Sequence, residues 1–174
     1  VACVFFGHVN IDYDGSPTAY GPDGIKPEPD DHLANAWSEA DGWFGVAAFG
    51  EDDPLVKNGT VVIDKKPSLL HKGKYPVIQQ AKFGDPKPGY YVSTTPHVAK
   101  DGPWYRQSSH LDASKYAFGA LSGKLASLGF GRGDYGLAIR HDDVLPNSGF
   151  YFVDAGADNH ALGECSHKVG LNLG

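Results

Sequence analysis

The chain has 174 residues, a formal net charge of −6, 41% hydrophobic residues and 21% charged ones. That length is met most simply by a single domain, residues 1–174, burying one core. The longest basic run is Lys65-Lys66, which argues against the basic stripe or patch of a nucleic-acid binder. No stretch approaches the ~18 apolar residues of a membrane-spanning helix.

With 23 Gly, 12 Pro and 12% aromatic residues, the composition is that of a turn-rich β-type protein. Val1 to Phe6 is apolar but too short for a signal h-region and lacks a basic n-region, so any leader is expected to have been removed already.

Cys3-Val4-Phe5-Phe6 reads as a first strand that Gly7 interrupts. The segment from Asn10 to Gly24 sets turn pairs (Asp14-Gly15, Gly21-Pro22, Asp23-Gly24) among acids and tyrosines. It is either a plain turn cluster or a cleft wall in which Asp12 and Asp14 bind hydroxyls or amines and Tyr13 and Tyr20 stack on rings. Asp30 to Trp37 reads as one short helix, with aspartate at its start and Leu33 and Trp37 four apart on one face.

Trp43 to Phe49 reads as a buried strand ended by Glu51-Asp52-Asp53-Pro54. Asn58-Gly59-Thr60 makes a turn before a strand at Val61-Val62-Ile63, and it is a glycosylation sequon in a eukaryotic secretory pathway. Tyr75 to Gln80 reads as a further strand. Pro86 to Gly89 turns into the strand Tyr90 to Thr95, which Pro96 ends.

Trp104 to Gln107 fits either a strand or a cleft loop. Leu111 to Tyr116 reads as a turn or helix start, and Ala117-Phe118-Gly119 as a strand. Gly129-Phe130-Gly131-Arg132-Gly133-Asp134 alternates glycines, but a phosphate loop must open a helix, and Tyr135 to Arg140 reads as a strand; Asp134 is a turn residue. Asn147-Ser148-Gly149 is expected to reverse the chain into the strand Phe150 to Val153. Ser166 to Leu173 is expected to form a helix packing Val169 and Leu173 inward, against the cost of its glycine.

The strand at Phe150 to Val153 delivers Asp154, and a short loop brings in Glu164 after Gly163. A pair of carboxyl groups so carried suits glycoside hydrolysis, in which one protonates the leaving oxygen and the other serves the water or the sugar; two solvated surface acids would look the same. Cys3 and Cys165 lie near opposite ends of the chain. A disulfide between them in a secreted protein would close a long loop and be worth ~4–5 kcal/mol, whereas in the cytosol both would stay reduced. The cysteines and histidines show no metal-ligand spacing, and His8, His32 and His110 receive no role.

Several motifs resemble glycoside hydrolase family 75, the fungal and bacterial chitosanases. They are Ile11-Asp12-Tyr13-Asp14-Gly15-Ser16-Pro17-Thr18-Ala19-Tyr20 with Leu33-Ala34-Asn35-Ala36, then Gly89 to Thr95, Gly133-Asp134-Tyr135-Gly136, Asp154-x-Gly156 and Gly163-Glu164-x-Ser166. Together they span nearly the whole chain. The resemblance implies endo-hydrolysis of β-1,4-linked glucosamine polymers by an inverting mechanism, with Asp154 and Glu164 as the essential acids. Asp154 is the expected general acid and Glu164 the base, the reverse assignment staying open. Ala155-Gly156-Ala157 and Cys165 depart from the family's local pattern without removing a carboxylate.

The final strand, Asp-x-Gly and return segment also resemble a double-psi β-barrel. The expected fold is thus mainly β, a single-domain six-stranded double-psi-like barrel with one or two short helices and long loops. Expected substrate-binding residues are Asp12, Tyr13, Asp14, Tyr20, Tyr91 and Trp104. The implied protein is a secreted monomer that takes a polysaccharide, with no cofactor, metal, nucleic acid or membrane partner. Two alternatives stand beside it: a peptidoglycan muramidase or lytic transglycosylase on the same barrel, as in an antibacterial effector domain, and a non-catalytic expansin-like sugar-binding module.

Overall fold

Short aromatic and β-branched runs punctuated by glycine and proline favour strands over helices. A computed structural model of the chain describes residues 10–96, 102–140, 146–155 and 164–174, and these are mainly β. In chain order the strands are β1 (Asn10–Asp12), β2 (Trp37–Ser38), β3 (Gly42–Trp43), β4 (Ala48–Phe49), β5 (Tyr75–Pro76), β6 (Phe118–Leu121), β7 (Tyr135–Ile139), β8 (Asn147–Ala155) and β9 (Glu164–Ser166). The described α-helices are short: α1 (Pro54–Lys57), α2 (Gly123–Ser127) and α3 (His167–Leu173). The chain divides into two compact units, one from Asp14 to Asp112 and the other from the segment up to Tyr13 together with Ala113 onward.

The second of these units is a five-stranded mixed sheet in the order β1-β9-β6-β8-β7. β6 is parallel to β8 and antiparallel to β9, β1 is parallel to β9, and β7 forms an antiparallel hairpin with β8. The central strand is built from small and aromatic residues, with Phe118 and Ala120 each 1% exposed. Gly119 must lack a side chain, because a Cβ there would stand 2.8 Å from the Phe150 ring and 3.2 Å from Phe152.

A register shift separates Gly119, paired with Phe152, from Ala120, paired with Asp154, and Val153 falls between the two rungs. An extra residue of this kind bends the strand and re-aims the side chains beyond it. Ser166 ties the centre together: its hydroxyl accepts the Phe118 N–H and donates to the Tyr116 carbonyl. Helix α3 then buries Val169 and brings Gly170 against Ile11, where a Cβ would sit 2.9 Å from the Ile11 side chain.

Four expectations hold here in the main: the strands expected at 117–119, 135–140 and 150–153, found within β6, β7 and β8, and the C-terminal helix. One is corrected. Asn147-Ser148-Gly149 does not reverse the chain but lies within β8, paired with Ile139, Ala138 and Leu137. Among the described residues β1 and β7 are the sheet's outer strands, and no closed barrel is formed. The strand expected at Cys3 to Phe6 lies outside the described residues.

The Asp14–Asp112 unit has only two-residue ladders, β2 with β3 and β4 with β5, supplemented by isolated bridges. Its core gathers Ala47, Phe49, Val61, Ile63, Tyr75, Val77 and Val92. Of the runs expected as strands, those at 43–49 and 75–80 share the two-rung ladder of β4 with β5, and those at 61–63 and 90–95 make only isolated bridges. Val92 donates to Val77 and accepts from Ala47, while Val77 donates to Ala47, so each run is shared between neighbours instead of forming a long ladder with one.

The helix expected at Asp30 to Trp37 is a single 3-10 turn, Leu33–Ala36, and Trp37 has already passed into β2. The Asp31 carboxylate accepts from the His32 N–H and the Asn35 amide at 2.7 Å each. Such local side-chain bonds compete with the helical ladder.

Candidate functional site

Ala120 is the rung on which the two expected catalytic acids meet. On one side it pairs with Asp154 of β8 and on the other with Glu164 of β9. Asn10 of β1 continues the row beyond Glu164. Two inter-strand spacings put the Asp154 and Glu164 backbones about 10 Å apart. The sheet thus brings into one row two acids separated by ten positions in the sequence.

Asp12 stands two residues along β1 from Asn10 and pairs with Ser166, itself two residues from Glu164. Asp12 and Glu164 are both half-buried. The Tyr13 ring lies against His167 with centroids 4.9 Å apart at 47°. Asp12, Tyr13, Glu164 and the Asp154 backbone therefore belong to one unit.

Cys165 sits beside Glu164 on β9 and is 6% exposed. Burial, with the field of Asp12 added, pushes its thiol up to about 12. A thiol held neutral in this way is a poor nucleophile near neutral pH. Among the described residues Cys165 has no disulfide partner; Cys3, its expected partner, lies outside them.

The other four expected binding residues belong to the Asp14–Asp112 unit. Tyr20 is 2% exposed and its hydroxyl donates to Asp14 at 2.7 Å. Tyr91 is 1% exposed and donates to Asp64 at 2.8 Å. Burial and the Asp64 carboxylate together raise the Tyr91 hydroxyl far above the ordinary phenol range. Both rings fill the core, because their apolar faces pack inward and their hydroxyls find carboxylate partners. Neither offers a face on which a sugar could stack.

Trp104 differs from them. It is half exposed and lines a cavity of about 300 Å³ with Trp43, Phe44, Lys74, Thr95 and His110. Sequence reasoning gave Lys74 and His110 no role. Lys74 follows a turn glycine and looks like any solvated lysine, and His110 is held by backbone groups of Thr95 and Trp104, which no side-chain pattern announces. Among the described residues no three His, Cys, Asp or Glu groups are placed to hold a metal ion, and no helix is long and apolar enough to cross a membrane.

No protein-family model matches the chain, and a search of curated proteins returns no match.

Proposed function

We propose that this chain is an endo-acting glycoside hydrolase that cleaves β-1,4-linked glucosamine polymers with inversion, using Asp154 and Glu164. The observation that carries the reading is their common register on Ala120. A backbone separation of about two strand spacings is compatible with the ~6.5–9.5 Å between carboxyl groups that an inverting pair needs to admit a water. Motifs that resemble those of the chitosanases, in the same order along the chain, support it further, and the fold proposed with it is the double-psi-like barrel.

In this reading Asp154 protonates the glycosidic oxygen as the bond to the anomeric carbon breaks. Glu164 takes a proton from the water that attacks that carbon from the opposite face. Asp12 is placed near Glu164 to pair with a glucosamine ammonium. The reaction needs no metal or organic cofactor, and the enzyme works as a secreted monomer.

The test is reducing-end release from highly deacetylated chitosan and from peptidoglycan, with the anomer of the first product read by NMR. Asp154→Asn and Glu164→Gln should each lower the chitosan rate by about 10²–10⁴, and the first product should carry the inverted anomer. Cleavage of peptidoglycan alone would keep the reaction class and replace the substrate. Wild-type binding without new reducing ends, unchanged in both variants, would leave an expansin-like binding module instead.

A further inference from the structure

The cavity at Trp104 lies wholly within the Asp14–Asp112 unit and is opposite in charge to the acidic row on the sheet. Its walls are aromatic. Trp104 is 48% exposed and stacks one face on Phe49, with centroids 5.1 Å apart and planes 18° apart, which leaves the other face to a ligand. Phe44, 53% exposed, and Trp43 supply further ring surface. Exposed aromatics around a concave site are a common mark of a ligand pocket.

Among the described residues lining the cavity the charged group is Lys74, and no carboxylate faces it. The Lys74 carbonyl accepts the Trp43 indole N–H at 3.1 Å, so the lysine's backbone is anchored to one wall. His110 brings no charge. Its Nδ1 accepts the Thr95 N–H at 3.1 Å and its Nε2 donates to the Trp104 carbonyl at 2.6 Å, a pattern that only the neutral ring can make.

We propose that this cavity binds a sugar ring bearing a carboxylate, with Trp104 and Phe44 on the ring and Lys74 on the acid. The inference rests on the glycosidase reading for the ligand being a sugar, and it goes beyond that reading in the sugar it names. A protonated amine would meet Lys74 as a like charge, whereas a carboxylate would pair with it. The cavity thus takes an acidic ring, a different sugar from the glucosamine units whose linkage the acid pair is proposed to cleave.

All three tryptophans, Trp37, Trp43 and Trp104, lie in this unit, so tryptophan emission from the full chain reports on it. The probes are three sugars of one ring type and graded charge: glucosamine, N-acetylglucosamine and N-acetylmuramic acid. The acid should bind tightest, by about fivefold over the neutral sugar at low salt, the upper range for a partly exposed ion pair, and glucosamine weakest. Lys74→Gln, at an exposed position, should bring the acid and the neutral sugar to parity. Trp104→Ala should weaken all three, with Trp104→Phe restoring part.

Equal binding of the three sugars, the same ranking in Lys74→Gln, or no saturable response to any of them would overturn the proposal. A charge ranking that depends on Lys74 in a protein that cleaves no polymer would uphold the cavity while removing the glycosidase. Chitosan cleavage without that ranking would do the reverse.

Discussion

The two units give their buried backbone groups partners by different means. In the five-stranded sheet the partners are chiefly other backbone groups, and the ladders β7 to β8 and β8 to β6 run through four or five rungs. Between Asp14 and Asp112, where ladders last two residues, side-chain amides reach across instead. The Gln107 amide donates to Gly15 and Ser93 carbonyls and accepts the Ser93 N–H, while its own N–H goes to Asp85. Gln79 donates to the Pro17 and Tyr91 carbonyls and accepts from the Lys87 N–H. A sheet held by backbone depends little on which exposed side chains it carries. A loop-rich unit held by two glutamines depends on each of them, since every buried polar group left alone is costly.

The sharpest way to break that contrast is Gln107→Leu, which leaves two carbonyls and an N–H without partners. It should cost about 4 kcal/mol, read as a lower urea midpoint in tryptophan emission, whereas Leu137→Thr on β7, 62% exposed, should stay within about 0.5 kcal/mol by far-UV circular dichroism. A loss below about 1 kcal/mol in Gln107→Leu would remove the distinction between the units.

The sheet has a different weakness, which is steric. A Cβ on Gly136 would fall 2.1 Å from the Phe150 ring, so Gly136→Ala should cost about 2 kcal/mol. Far-UV circular dichroism would track the loss, and adding Phe150→Leu should recover part of it.

A smaller effect is a dependence on pH. Burial lowers the proton affinity of His110 below that of an ordinary histidine. Below about pH 6.5 the unfolded chain then binds a proton that the folded chain refuses, so stability falls as the pH drops through that range. Urea midpoints at pH 7.5 and 5.5 should differ more for the wild type than for His110→Gln.

The mildest test concerns Cys165. Its raised pKa and burial predict that iodoacetamide at pH 8 leaves it unmodified in the folded, reduced protein, and that urea with reductant exposes it to full alkylation, both read by peptide mass.

This contrast between units also explains what could be read in the sequence. Tyr135–Ile139 and the segment from Phe150 to Val153 were legible because glycine borders apolar runs that pair along their length. Tyr90 to Pro96 has the same composition, yet Val92 shares its hydrogen bonds between Ala47 and Val77, a division no local pattern encodes. The acids Asp154 and Glu164 stood out as residue types in turn-flanked positions. Their common row did not, because it is set by Ala120, a residue that carries no chemistry. The amide network was illegible for a related reason: Gln79 and Gln107 resemble surface glutamines until backbone from distant segments closes around them.

The shift at Gly119 and Ala120 makes β6 the gauge of the sheet. Strand side chains alternate with a period of two, so a slip of one residue exchanges the two faces of a strand. Deleting one residue from β6 would leave both acids in the protein but take them off their common rung. Two carboxylates would remain in the sequence as a matched set, while the instrument that spaces them had lost its mark.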